Sequence, residues 1–218
     1  MKAYDLVQAL TIIESSCSSV VNLVYYDQAL QYITDDQVRL YELSVHITNN
    51  MPSHACLTLT SNVLDYLSNY LTPTDDVHLV YDPANNCVVI NKYFNWFVNT
   101  FDNEDDNDHK IEPMCLKFTL TFDVFAIDSA LLIAFRPTYV EARKHENCIV
   151  LKNDEQSILT IPKSNEPITS SYSIRFNPYY VHMFMCSLSS KIQMSICSKK
   201  LIKLSNGIVT MYLPHCDP

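Results

Sequence analysis

The chain has 218 residues, 48% of them apolar, and 15 Lys/Arg against 24 Asp/Glu for a formal net charge of −9. This supports one domain or two small fused ones with a sizeable core, and no apolar run is long enough for a membrane helix. The only glycine, Gly207, excludes a phosphate-cradling loop, a dinucleotide fingerprint and a nucleophile elbow, all of which need glycine where the backbone bends tightly or meets a ligand.

In chain order, residues 4–17 read as a helix. Its apolar run contains Asp5 and Glu14, unlike a secretory leader, so the chain is expected not to be secreted. Strand-like runs follow at 20–26, 30–33 and 38–48. Residues 57–60 alternate as a strand and lead into a helix over 61–71 with Thr60 at its N-cap. Further strands are expected at 77–81 and 87–91. Between those two, Asp82-Pro83-Ala84-Asn85-Asn86 supplies turn chemistry without glycine. Tyr93, Phe94, Trp96 and Phe97 read as a small satellite core, with a stacking platform for bases as the alternative.

Residues 102–108 contain five acidic residues among seven polar ones and read as a solvated linker. Beyond it, 118–121 reads as a strand, 121–130 as a helix, and 131–135, 148–151 and 158–161 as strands. Residues 174–176 then lead through Asn177 and Pro178 into a helix over 178–190, where proline suits the first turn. Strands at 191–197, 200–204 and 208–213 close the chain.

The segments starting at Leu57, Phe118 and Ile174 share this strand-to-helix pattern, at spacings of 61 and 56 residues. Projected backwards, the period gives four units beginning near residues 1, 55, 112 and 169. The alternative is three unrelated strand-to-helix transitions. The expected fold is α+β, with two similar halves (residues 1–101 and 112–218, joined by an acidic connector at 102–111) that each pack two helices on antiparallel sheet. The charge divides unevenly: residues 1–109 hold 3 Lys/Arg against 15 Asp/Glu, and residues 110–218 hold 12 against 9.

This plan resembles the sliding DNA clamps. Residues 30–40, Leu30-Gln31-Tyr32-Ile33-Thr34-Asp35-Asp36-Gln37-Val38-Arg39-Leu40, look like the stretch of proliferating cell nuclear antigen where one strand turns into the next under the front groove. Residues 56–71 with Asp75-Asp76-Val77-His78-Leu79-Val80-Tyr81 are similar to that family's second helix and following strand. Residues 172–176 and 207–214 resemble its last strand–helix unit and closing strand. The resemblance implies a ring-forming protein, a dimer or trimer, with helices lining the hole. It also implies partner peptides docking in a front groove, with Ile33 as floor, Gln37 at the rim, and Leu213 and Pro214 on the far side. Its partners would be DNA polymerase or other replication, repair or transcription proteins, in the nucleus, with no cofactor and no catalysis. The low glycine and the richness in Asn, Asp and Tyr suggest a compositionally biased, viral genome, and so a viral replication compartment as the other location.

Two features depart from that pattern. The four expected helices contain no Lys or Arg, although a clamp holds DNA through phosphate attraction. The chain is also shorter than a typical clamp, most visibly in its first strand and third unit. Basic residues cluster instead as Arg136, Arg143 and Lys144, and as Lys191, Lys199, Lys200 and Lys203. Both groups are candidates for phosphate or acidic-partner contacts, or simply for solvated surface. A clamp-fold adaptor that does not encircle DNA, and an unrelated α+β binding protein, are the competing readings.

Catalytic and metal chemistry has little support. No two of the seven histidines stand four apart beside a carboxylate. His145 with Cys148, and His215 with Cys216, are isolated pairs that fall short of a four-ligand zinc site. A Cys–His catalytic pair meets only in space and is the minor alternative. The eight cysteines include no C-x-x-C pair, so reduced, buried thiols in an intracellular protein are expected.

Overall fold

The computed structural model describes residues 1–16, 20–34, 39–99, 123–154, 158–162, 167–168, 170–186, 191–197 and 201–215. The chain divides into two compact units: Met1–Gln37 with Tyr41–Phe118, and Val38–Leu40 with Thr119–Pro218.

The first unit starts with helix α1 (Ala3–Glu14), followed by β1 (Val21–Tyr26), β2 (Ala29–Ile33), β3 (Leu40–Ser44), β4 (Ile47–Thr48) and β5 (Cys56–Leu59). Helix α2 (Ser61–Asn69) and strands β6 (Leu79–Asp82), β7 (Cys87–Ile90) and β8 (Phe94–Asn99) complete it. The strands lie in the order β4-β6-β7-β8-β5-β1-β2-β3. Alternation decides which side each strand buries. In β1, Val21, Leu23 and Tyr25 face inward while Asn22, Val24 and Tyr26 are half exposed. The core under the helices joins Leu6, Leu10 and Ile13 of α1 and Val63 and Leu67 of α2 with Leu23, Leu30, Leu57 and Ile90 from the sheet.

The N-terminus is tied down. The Ala3 N–H donates to the Asp75 carbonyl (2.9 Å), the Val77 N–H donates to the Met1 carbonyl (2.8 Å), and Lys2 pairs with Asp76 at 2.9 Å. Without glycine, tight turns fall on Asn, Asp and even longer side chains. Asp27 and Gln28 both take positive φ (48° and 65°) between β1 and β2, as do Asn91 and Lys92 (50° and 68°) between β7 and β8. Tyr26 pairs with Ala29, so the first is a two-residue hairpin turn, whereas Ile90 pairs with Phe94 and the second is a three-residue loop.

The second unit contains β9 (Asp123–Asp128), α3 (Ser129–Phe135), β10 (Tyr139–Arg143), β11 (Cys148–Lys152), β12 (Ile158–Pro162), β13 (Tyr172–Arg175), α4 (Pro178–Cys186), β14 (Lys191–Cys197), β15 (Leu201–Ser205) and β16 (Val209–Pro214). Its strands form the runs β16-β15-β14-β9 and β12-β11-β10-β13. The two runs are joined by the Tyr172 hydroxyl, which donates to the Ile196 carbonyl at 3.0 Å. Helices α3 and α4 pack together, with Leu132, Val181 and Phe184 buried. The Asn177 Oδ1 accepts from the Tyr179 N–H (3.0 Å), and Pro178 opens α4 as expected.

The third strand-to-helix transition differs from the sequence expectation. Residues 123–128 are strand where a helix was expected, and 131–135 are helix where a strand was expected. The Asp128 carboxylate accepts from the Ala130 N–H at 2.8 Å and sets the helix start. Phe125 and Ile127 alternate inward before it. Residues 118–122 lie outside the described residues. Besides β9, two strands were not anticipated. One is β10; the other is β8, which takes up most of the aromatic cluster.

Candidate functional site

The four residues expected to form the partner groove fall in different settings. Ile33 ends β2 and is half-buried, and Gln37 lies outside the described residues. Leu213 is buried at 2% exposure, opposite Ile202 in β15, whereas Pro214 beside it is exposed. Ile33 belongs to the first unit, and Leu213 and Pro214 to the second.

Among the basic candidates, Arg136 sits at the left-handed C-cap of α3 (φ 48°) and is exposed. Lys144 is also exposed, and its N–H donates to the Ser171 Oγ at 3.0 Å. Arg143 is held between carboxylates, 3.1 Å from Glu141 and 3.2 Å from Glu146. These two acceptors push its guanidinium pKa up. Lys152 reaches Glu141 at 2.7 Å. The Lys152 hydrogen bond, more than burial opposes it, holds the Glu141 carboxyl below its ordinary range. Arg143 is therefore already engaged by its own sheet. Lys203 is half-buried, 5.7 Å from the Tyr212 ring centroid. Lys191 begins β14, and Lys199 and Lys200 lie outside the described residues. Arg39, buried and grouped with the second unit, lies 4.3 Å over the Tyr180 ring.

None of the four helices contains Lys or Arg. Asp5 and Glu14 in α1 and Asp65 in α2 are their only charged residues. Asp123 and Asp128, assigned to the third helix from the sequence, lie on β9 instead.

Cys56, Cys87, Cys148 and Cys197 are buried free thiols. Burial pushes the Cys56 thiol up to about 11, which keeps it protonated and unreactive. Among the described residues no three His, Cys, Asp or Glu side chains converge on a metal-sized site. His145 is exposed while Cys148 is buried, and the His215 Nδ1 accepts from the Arg175 N–H at 3.0 Å.

The aromatic cluster divides in two. Trp96 is buried (3% exposed) and donates its Nε1–H to the Thr58 carbonyl at 2.7 Å, whereas Tyr93 and Phe97 are 86% and 63% exposed. Two further rings not singled out in the sequence join them, Tyr66 on α2 and Tyr70 at its C-cap. Their four-residue spacing places them on one helix face, and that spacing is the signal that identifies them.

Among the described residues of the second unit, β12 stands at the end of its sheet beside β11, and Ile158 on it is 61% exposed.

Comparison with known proteins supports this architecture at the level of fold. No family model matches the chain, and no curated protein does. Among solved structures, the PCNA2–PCNA3 complex from Sulfolobus tokodaii matches with TM-score 0.60 at 13% identity, over 99% of this chain and 97% of that one. The DNA polymerase III beta subunit of Thermotoga maritima matches with TM-score 0.57 at 13% identity, and the DNA polymerase beta subunit of Streptococcus pyogenes with 0.58 at 9%. This chain is covered completely in both but spans 64% of each beta subunit. The chain has a sliding-clamp-like fold.

Proposed function

We propose that this chain is a clamp-like processivity or scaffold factor of DNA replication or repair that binds DNA polymerase or other partner proteins and does no catalysis. The observation that carries this reading is the match to the PCNA2–PCNA3 structure over nearly the full length of both chains. In this reading the chain acts inside the cell, in the nucleus or a viral replication compartment. Peptide partners dock through Ile33, Gln37 and Pro214, with Leu213 buried behind them as packing, and the exposed Arg136 and Lys144 contact phosphate or an acidic neighbour. Self-association into a dimer or trimer uses β12, which among the described residues ends its sheet and offers an edge for a further strand.

A second reading rests on the helices. Their lack of Lys and Arg favours a clamp-fold adaptor, in transcription or checkpoint assembly, that does not encircle DNA. The deciding measurement is native mass in solution, with and without duplex DNA, over a range of salt. A processivity factor forms an oligomer and binds DNA with affinity that falls steeply as salt rises. An adaptor ignores DNA at low salt. A strict monomer indifferent to DNA ends the tethering reading.

A further inference from the structure

The clamp reading leaves an aromatic groove of the first unit unassigned. It lies between α2 and β8 and measures about 740 Å³. Tyr66 is its centre. That ring stacks on Tyr70 from the next helical turn (centroids 5.8 Å apart) and on Phe94 from β8 (4.8 Å). Tyr70 is 78% exposed and Phe97 63%, so two large rings stand in water at the groove. Asp65, Asn62 and Asn95 add polar groups to the lining, and no Lys or Arg contributes to it.

The chemistry of this lining selects among occupants. An added strand needs a free backbone edge, but β8 has a neighbour on each side, β7 and β5. Exposed rings stack well on nucleic-acid bases, yet such sites also supply cations for the phosphates. Here the lining carries a carboxylate, within a half that holds 3 Lys/Arg against 15 Asp/Glu. A polyproline segment meets both conditions. Its pyrrolidine rings pack on aromatic faces, its backbone carbonyls accept from amide and hydroxyl groups, and its extended form is largely preset before binding. The nine residues of α2 run about 13 Å at about 1.5 Å each. At about 3.1 Å per residue, that length accommodates roughly four residues of polyproline helix.

We propose that the α2–β8 groove binds a short proline-rich peptide with a basic residue at one end, the rings taking the prolines and Asp65 the basic flank. This site belongs to the first unit alone and does not depend on the clamp reading.

The test titrates the full chain with a synthetic proline-rich peptide carrying arginine at one end. The readouts are Trp96 fluorescence, since Trp96 is the only tryptophan and lines the groove, and NMR shifts. Saturable binding is expected, weakened about tenfold in Tyr70→Ala and in Phe97→Ala. It is retained in Tyr70→Phe. Asp65→Lys is expected to weaken the arginine-flanked peptide but not a neutral-flanked one. Tyr70 and Phe97 are exposed, so these variants should keep the thermal midpoint of the unmodified chain, which a melting curve checks. The proposal is overturned by no saturable binding, by binding indifferent to both ring truncations, or by an oligothymidylate that occupies the groove in a Tyr70-dependent way.

Discussion

Single residues carry the consequences of a chain with one glycine. Gln28 holds φ 65° in the β1–β2 turn, where an L side chain costs roughly 1–2 kcal/mol that glycine avoids. Glycine also loses more chain entropy on folding, so the net gain is smaller. Gln28→Gly is expected to stabilise the protein by roughly 0.5–1 kcal/mol, a rise of a few degrees in Tm by thermal denaturation. Cys56 gives a second residue-scale prediction. Its thiol is raised to about 11 by burial, whereas an unfolded thiol ionises near ~8.5. The folded state therefore holds the proton more tightly. The stability this contributes is intact below ~8.5 and is lost as pH rises toward the folded value. Iodoacetamide at a pH of about 8 should leave Cys56 unmodified in the folded chain and alkylate it in urea, as peptide mass mapping reports.

At the scale of elements, the sequence was most legible where period and capping agree. The α2 start after Thr60, the α4 start at Pro178 and the strand Lys191–Cys197 were all placed by pattern. The third transition was misplaced because 13 of the 18 residues in 118–135 are apolar, so strand and helix periods are both satisfied there. The cap bond from Asp128 decides between them. Asp128→Ala should cost about 1 kcal/mol of stability, seen as a lower urea midpoint with unchanged slope. Glu141 ties β10 to β11 through Lys152. Its pKa is depressed, so its contribution is present above the unfolded value near ~4.3 and is lost as pH falls through the folded one. In Glu141→Gln, stability should fall less steeply on the acid side, as denaturant midpoints measured across that range reveal.

At the scale of the whole molecule, the α+β plan with two helices per unit follows from the repeat. The function attached to it depends on surfaces that a repeat does not specify. Ile158 is exposed on the edge strand β12, and a lysine there blocks edge-to-edge pairing. If β12 closes an oligomer, Ile158→Lys should lower the native mass to that of a monomer while leaving the circular dichroism spectrum unchanged. The same mass in both proteins would remove β12 from the interface. The candidate site was legible only in part for a related reason. Arg136 and Arg143 look alike in the sequence, but Glu141 and Glu146 engage the second and no carboxylate within ion-pair distance engages the first among the described residues.

The sequence by itself determined the strand-to-helix transitions into α2 and α4, the lack of glycine-dependent chemistry and the acidic bias of the first half, because period, composition and charge are local or additive properties. Tertiary structure decided which side chains remain available. Leu213 is buried and Pro214 beside it exposed, and Trp96 is committed to the core while Phe97 next to it faces solvent. Burial and pairing arise from contacts between segments far apart in the chain, and a single sequence records the residue types for those contacts but not which of them meet.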